Sequence, residues 1–170
     1  MGQLDILNLF FEYPSKNFHI RGISKELNIP KTTVGYHVNG LMKDKLIIKH
    51  KSGVFPSFRA NEAEEIYRHV KKQESLKKII KSKLLDVIED ECNPRCIVLF
   101  GSFAKGEYSI NSDIDLFVQA KDTKIVTRKF EKKLKHKVNL FFESDIKRLS
   151  SELLNNIVNG IKLRGFLKIR

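Results

Sequence analysis

Along the first sixty residues, apolar clusters alternate with polar gaps in a way that predicts three helices and a hairpin. Leu4, Ile6, Leu7, Leu9, Phe10 and Phe11 form a broad apolar face at helical spacing, stopped near Pro14. Ser24 is placed to N-cap a short helix through Leu27, which ends in the turn Asn28-Ile29-Pro30. Pro30 suits the first turn of the next helix, where Val34, Val38, Leu41 and Met42 recur at helical spacing and point inward. Leu46-Ile47-Ile48 and Val54-Phe55-Pro56-Ser57-Phe58 then predict two short strands, with Ser52-Gly53 at the turn between them.

From Asn61 to about Glu91 the chain lacks Pro and Gly and reads as one long helical stretch. Its stripe is Ile66, Val70, Leu76, Ile80, Leu84, Val87 and Ile88. Lys71, Lys72, Lys77, Lys78 and Lys81 fall mostly off that stripe and read as a solvated face. After Pro94 the pattern changes. Cys96-Ile97-Val98-Leu99-Phe100 is an apolar run bounded by Gly101, as expected of a fully buried strand. Asp113–Val118 and Val138–Phe142 predict two more strands, residues 123–136 a basic helix, and Ile146–Val158 a closing helix.

This order of elements predicts an α+β chain. Residues 1–60 form one domain, residues 61–91 a linker or first helix, and residues 92–170 a second domain with a small mixed sheet. Composition adds limits. Hydrophobic residues are 41% and charged residues 31%, an ordinary balance for packed cores. No run has the roughly 18 apolar residues of a membrane span, and the start lacks a basic signal region, so the expected location is the cytoplasm without a membrane partner. Cys92 and Cys96 are too few for a disulfide framework or a zinc site on their own.

The net charge of +12 is unevenly spread. Residues 1–60 carry 9 Lys/Arg against 4 Asp/Glu, residues 61–91 carry 7 against 8, and residues 92–170 carry 16 against 8. Positive charge at both ends favours a polyanion or a phosphate-rich ligand.

The chemistry is concentrated in Leu99-Phe100-Gly101-Ser102-Phe103-Ala104-Lys105-Gly106 and Asn111-Ser112-Asp113-Ile114-Asp115-Leu116-Phe117-Val118, which together spell G-S-x10-D-x-D. A strand that ends in Gly-Ser and turns into a helix aims free backbone N–H groups at its turn, where they attract phosphate. Gly101 leaves room for that approach, and Ser102 adds a hydroxyl. Residues two apart on a strand share a face, so Asp113 and Asp115 are expected to project together. Paired carboxylates of this kind are stabilised by a divalent cation that also meets phosphate oxygens.

The string Gly101, Ser102, Ala104, Lys105, Gly106, Ser112, Asp113, Asp115 and Leu116 resembles the signature of the DNA polymerase beta-like nucleotidyltransferase superfamily, most closely its minimal nucleotidyltransferases. The resemblance covers about residues 75–168, with 157–163 similar to the family's closing helix-and-turn segment. It implies that Gly101 and Ser102 bind the terminal phosphates of an NTP and that Lys105 neutralises charge beside them. It further implies that Asp113 and Asp115 hold Mg²⁺ (or Mn²⁺) and carry the catalysis, with a protein among the conceivable acceptors. One position departs from the pattern. The family places a third carboxylate on the next strand, and the matching residue is Asn139, an amide that cannot act as a base. Glu143 lies too far along the strand to replace it readily.

The segment from Ile23 to Ile47 resembles the winged helix-turn-helix domain of transcriptional regulators. That resemblance implies double-stranded DNA as a partner, with Lys31, Thr32, Thr33, Tyr36, His37 and Gly40 on the outward face of the recognition helix and Lys49, His50 and Lys51 on the wing. Two functions remain open. One is a metal-dependent nucleotidyltransferase with a DNA-binding module, and the reading leans towards this enzyme. The other is a DNA-binding regulator whose degenerate transferase domain senses nucleotide or forms a homodimer.

Overall fold

The computed structural model describes residues 2–50 and 55–167; Lys51, the Ser52-Gly53 turn and Val54 lie outside them. The chain divides into two compact units, Met1–Lys71 and Lys72–Arg170.

The first unit is built from α1 (Gln3–Glu12), α2 (Ile20–Leu27), α3 (Lys31–Lys43), β1 (Ile47–His50) and β2 (Ser57–Ala60). Ile6, Phe10 and Phe11 of α1, Ile23 of α2, and Val34 and Val38 of α3 are fully buried and form its core. β1 and β2 pair antiparallel, with Lys49 opposite Phe58, and Phe18 bridges to Phe58 through two backbone hydrogen bonds of 2.8 Å. The ring of Phe18 meets Phe10 edge-on at 5.0 Å, which ties the hairpin to α1.

Two local expectations here are corrected. Ser24 does not cap α2, which starts at Ile20 after an extended His19; the Ser24 hydroxyl instead donates to the Ile29 carbonyl at 2.6 Å, beyond the helix end. Burial of Ile23 favours the longer helix despite Gly22. The second strand begins at Ser57, after Pro56, which has no N–H to give a ladder.

The long helix expected over 61–91 is two helices, α4 (Glu65–Ser82) and α5 (Leu84–Cys92). Ser82 separates them. Its hydroxyl donates to Ile79 O at 2.6 Å and accepts from Leu84 N at 3.1 Å, while Lys83 takes a left-handed conformation at φ 70°. The buried ridge also differs from the expected stripe. Tyr67, Lys71, Ser75 and Ile79, four residues apart, are buried, whereas Ile66 and Ile80 are exposed. Lys71, read as part of a solvated face, is 1% exposed, with its ammonium 5.5 Å from the centre of the Tyr67 ring.

The second unit continues through β3 (Cys96–Phe100), α6 (Gly101–Lys105), β4 (Ile114–Val118), α7 (Arg128–Leu134), β5 (Val138–Phe142), α8 (Ser151–Val158) and β6 (Ile161–Gly165). The four strands make one mixed sheet in the order β5-β4-β3-β6, parallel between β4 and β5 and antiparallel elsewhere. Every residue of β3 is buried, as its continuous apolar run requires. Cys96, Val98, Phe100 and Phe117 pack with Ile146 and with Ile157 of α8 on one face. The architecture is α+β, as the order of elements predicts.

Three expectations change in this unit. The basic helix is only α7, because the β-branched run Ile125-Val126-Thr127 resists helix and Thr127 turns its hydroxyl to Glu131 Oε1 at 3.1 Å. The closing helix starts at Ser151, capped by Ser150 Oγ accepting from Leu153 N at 3.2 Å, and follows a separate single turn at Ile146–Arg148. The segment similar to a helix and turn ends as strand β6, where Ile161 and Leu163 alternate with Lys162 and Arg164 at the sheet edge. Among the described residues, no helix is long and apolar enough to cross a membrane.

Candidate active site

The carboxylates are positioned by pairing on both sides of β4. Asp115 lies opposite Phe100 of β3, the residue before Gly101, and opposite Asn139 of parallel β5. That double register brings the end of β3, the acidic strand and Asn139 to one corner. Gly101 has φ +70°, a conformation that favours glycine, and a Cβ placed there would stand 2.7 Å from Asp115 Oδ2. The turn needs glycine both for its backbone and for the carboxylate beside it.

Asp113 precedes β4, held by a tight turn. Ser109 N donates to Ser112 Oγ at 2.9 Å, Ser112 N donates to Ser109 O at 2.9 Å, and Ile114 N donates to Lys137 O at 2.8 Å. His136 Nδ1 hydrogen-bonds the Ser112 carbonyl at 2.8 Å, so that nitrogen carries the proton. His136 itself is buried, edge-on to Phe103 at 4.9 Å, and Phe103 stacks on Tyr108 at 4.1 Å. This aromatic cluster gives the α6 turn and the Asp113 turn a common support.

Asn139 joins the two acids. Its Nδ2 donates to Asp115 Oδ1 at 2.9 Å and to Asp113 Oδ2 at 3.4 Å. Burial pushes the Asp115 carboxyl above the ordinary aspartate range; the Asn139 hydrogen bond pulls it back, and the charge of Asp113 pushes it further up. Among the described residues, no group of three His, Cys, Asp or Glu side chains is arranged to hold a metal. Glu143 stays outside the site: its carboxylate accepts from Asp145 N at 2.9 Å, and it lines a separate cavity with Phe141, Leu149 and Leu153. Two carboxylates are a partial ligand set for a divalent cation, whose remaining ligands would be waters and substrate phosphates; the Asn139 Nδ2 that faces them is an N–H donor and adds no ligand.

The other expected contacts divide between the two units. Ser102 is partly buried in the first turn of α6, and Lys105 is exposed at its last residue. In the first unit, Lys31, Thr32 and Tyr36 are exposed on α3, Thr33 and His37 are partly exposed, and Tyr36 meets His37 edge-on at 5.5 Å. Lys49 is exposed on β1, and Lys51 lies outside the described residues. Gly40, expected on the outward face, instead faces Gln3 of α1, whose amide nitrogen stands 3.0 Å from the position of an added Cβ.

Sequence reasoning missed a cavity of about 610 Å³ beside Asp113, lined by Asn111, Arg128, Lys132, Lys135 and Lys137 among others. Its signal was present in the basic helix, since residues 128 and 132 recur at the spacing of one helical face and residue 135 follows its last turn. The cysteines carry no site. Cys92 Sγ donates to Ile88 O at 3.1 Å, Cys96 is fully buried, and burial pushes both thiols up.

No curated protein matches the chain. A crystal structure of a toxin-antitoxin with AMP-PNP is 30% identical, covering 54% of this chain and 73% of its own, with a TM-score of 0.39. Residues 82–164 match the family model described as polymerase beta, nucleotidyltransferase. These residues form a nucleotidyltransferase-like domain of the polymerase beta type.

Proposed function

We propose that this chain transfers a nucleoside monophosphate from an NTP to a hydroxyl acceptor and carries a DNA-binding module in its first unit. The observation that carries the first part is the convergence of Asp113 and Asp115 on one point beside the Gly101 turn. In this reading the amides of Gly101 and Ser102 receive the triphosphate, and the Lys105 ammonium offsets its charge. Asp113 and Asp115 would hold Mg²⁺ or Mn²⁺. A bound ion supplies charge neutralisation for the departing pyrophosphate and lowers the pKa of the acceptor hydroxyl. Asn139 holds the two carboxylates together but takes no proton.

The test is incubation of the purified chain with α-labelled NTPs and Mg²⁺ or Mn²⁺, with Asp113→Ala/Asp115→Ala as control. Label should move to self, nucleic acid or lysate protein with the wild type alone. Absence of transfer to any of these overturns the enzymatic reading.

Asn139 favours a second reading, in which the domain binds nucleotide without turning it over and regulates the first unit. Under that reading NTP–Mg²⁺ binds by calorimetry but no label moves. For the first unit, the exposed Lys31, Thr32 and Tyr36 of α3, with Lys49 of β1, support contact with double-stranded DNA. Selective binding to one duplex that weakens steeply with salt is the expected result; equal affinity for any duplex removes the regulator reading.

A further inference from the structure

Gly22 is the third residue of α2, and a Cβ added to it would meet nothing within 4 Å. Glycine in a helix is less favourable than alanine, and here neither a left-handed backbone nor a close neighbour requires it. What the missing side chain leaves is open space. Gly22 borders a cavity of about 510 Å³ in the first unit, whose other walls are His19, Ile20, Arg21, Lys31, Phe55 and Pro56.

Local contacts hold those walls in place. His19 Nδ1 donates to Pro56 O at 3.0 Å, next along the chain from the Phe18–Phe58 bridge, so the start of α2 is tied to the approach to β2. The Arg21 guanidinium lies 5.7 Å from the centre of the Phe55 ring. That ring is 64% exposed and forms one wall. Ile20, Pro56 and the bare backbone of Gly22 supply further apolar surface, while Arg21 and Lys31 supply charge. Among the described residues that line the cavity there is no Asp or Glu.

The mixture of walls selects the ligand. A phosphate of a duplex would meet the two cations but gain nothing from apolar walls, because a charged oxygen is better left hydrated. A wholly apolar ligand would leave both cations unused. A flat ring bearing an acidic group uses every wall: the ring packs on the free face of Phe55, and the acid accepts from Arg21 and Lys31. The volume is that of a pocket for one small molecule.

We infer that this cavity binds a small planar aromatic acid, and that the acid competes with double-stranded DNA for Lys31. The competition rests on the DNA-binding reading of α3; the ligand site does not.

The experiment uses the full chain and two fluorescent probes, anilinonaphthalene sulfonate and its uncharged counterpart phenylnaphthylamine. Wild type should bind the sulfonate more tightly than the amine. Gly22→Leu should weaken the sulfonate about ten-fold or more by filling the cavity, and should melt no lower than wild type because leucine favours the helix. Arg21→Gln/Lys31→Gln should weaken the sulfonate several-fold and leave the amine unchanged. Lys43→Gln, exposed at the far end of α3, should alter neither. Sulfonate binding that survives Gly22→Leu lies elsewhere and overturns the inference; an amine that binds as tightly as the sulfonate overturns the acid. A labelled mixed-sequence duplex at low salt, followed by mobility shift, tests the competition. Saturating sulfonate should release the duplex from wild type but not from Gly22→Leu, and release from both or from neither overturns the competition. Duplex binding without sulfonate binding leaves the DNA reading intact and removes this one. Sulfonate binding that obeys the variants, without duplex binding, does the reverse.

Discussion

Asn139 and Asp115 face each other across a parallel strand pair, and the Asn139 amide N–H donates to the Asp115 carboxylate at 2.9 Å. A neutral donor shared between two acids lowers their mutual repulsion without a metal. The same nitrogen reaches Asp113 at 3.4 Å, so the pair is pre-assembled.

Replacing that amide by a third acid should invert the balance. Asn139→Asp is expected to lower the melting temperature in EDTA, because three carboxylates then crowd one corner. It should raise the affinity for Mn²⁺, read by electron paramagnetic resonance titration, and speed label transfer. Unchanged metal affinity would mean that Asn139 does not limit the site.

Asp115 offers a pH test. Its folded-state pKa is raised, chiefly by burial, so its contribution to stability is complete below the ordinary aspartate value and is lost as pH rises through the raised value. Asp115→Asn should therefore melt higher than wild type at neutral pH without metal, and the difference should vanish in acid. With Mg²⁺ and NTP present the order should reverse, because the variant lacks a ligand. Thermal melts across pH, with and without Mg²⁺, check both statements.

Gly101→Ala should be costly. A left-handed backbone alone costs a non-glycine residue roughly 1–2 kcal/mol, and the new Cβ would stand 2.7 Å from Asp115 Oδ2. Urea denaturation should show destabilisation of at least that order, about 1–2 kcal/mol. Calorimetry should show loss of NTP binding. A variant as stable as wild type would remove the packing argument for this turn.

On α3, Lys31→Ala should leave the melting temperature unchanged, since the side chain is exposed. It should weaken duplex binding across all sequences and reduce the salt slope by about 1. Tyr36→Ala, at a residue 77% exposed, should change preference among sequences as well as affinity. Affinity unchanged in both variants would exclude α3 as the contact helix.

Where one physical signal dominated, the fold was legible in the sequence. The buried strand at Cys96–Phe100 and the recurring apolar positions of α3 each show one clear period, and each element lies where that period placed it; Asp113 instead precedes β4, so the strand period does not by itself account for its meeting with Asp115. The misses came where a side chain competes with the backbone. Ser82 ends a helix that has no Gly or Pro, Ser150 delays the start of another, and Ser24 bonds beyond its own helix. Lys71 was misread because charge suggests exposure, whereas its position in a four-residue ridge requires burial. Strand pairing set the rest. The sequence showed Asn139 in place of an acid, but only the register of β4 against β5 shows its amide reaching both carboxylates.

The sheet order has a consequence for biosynthesis. β3 carries the Gly101 turn and lies between β4 and β6, and β6 is made from residues 161–165, after every other strand. On a ribosome, the strand that bears the turn would thus wait with one edge unpaired until residue 165 has left the exit tunnel. A nascent chain arrested before that point should be cut readily by protease near residues 96–101, and release of the last strand should confer resistance.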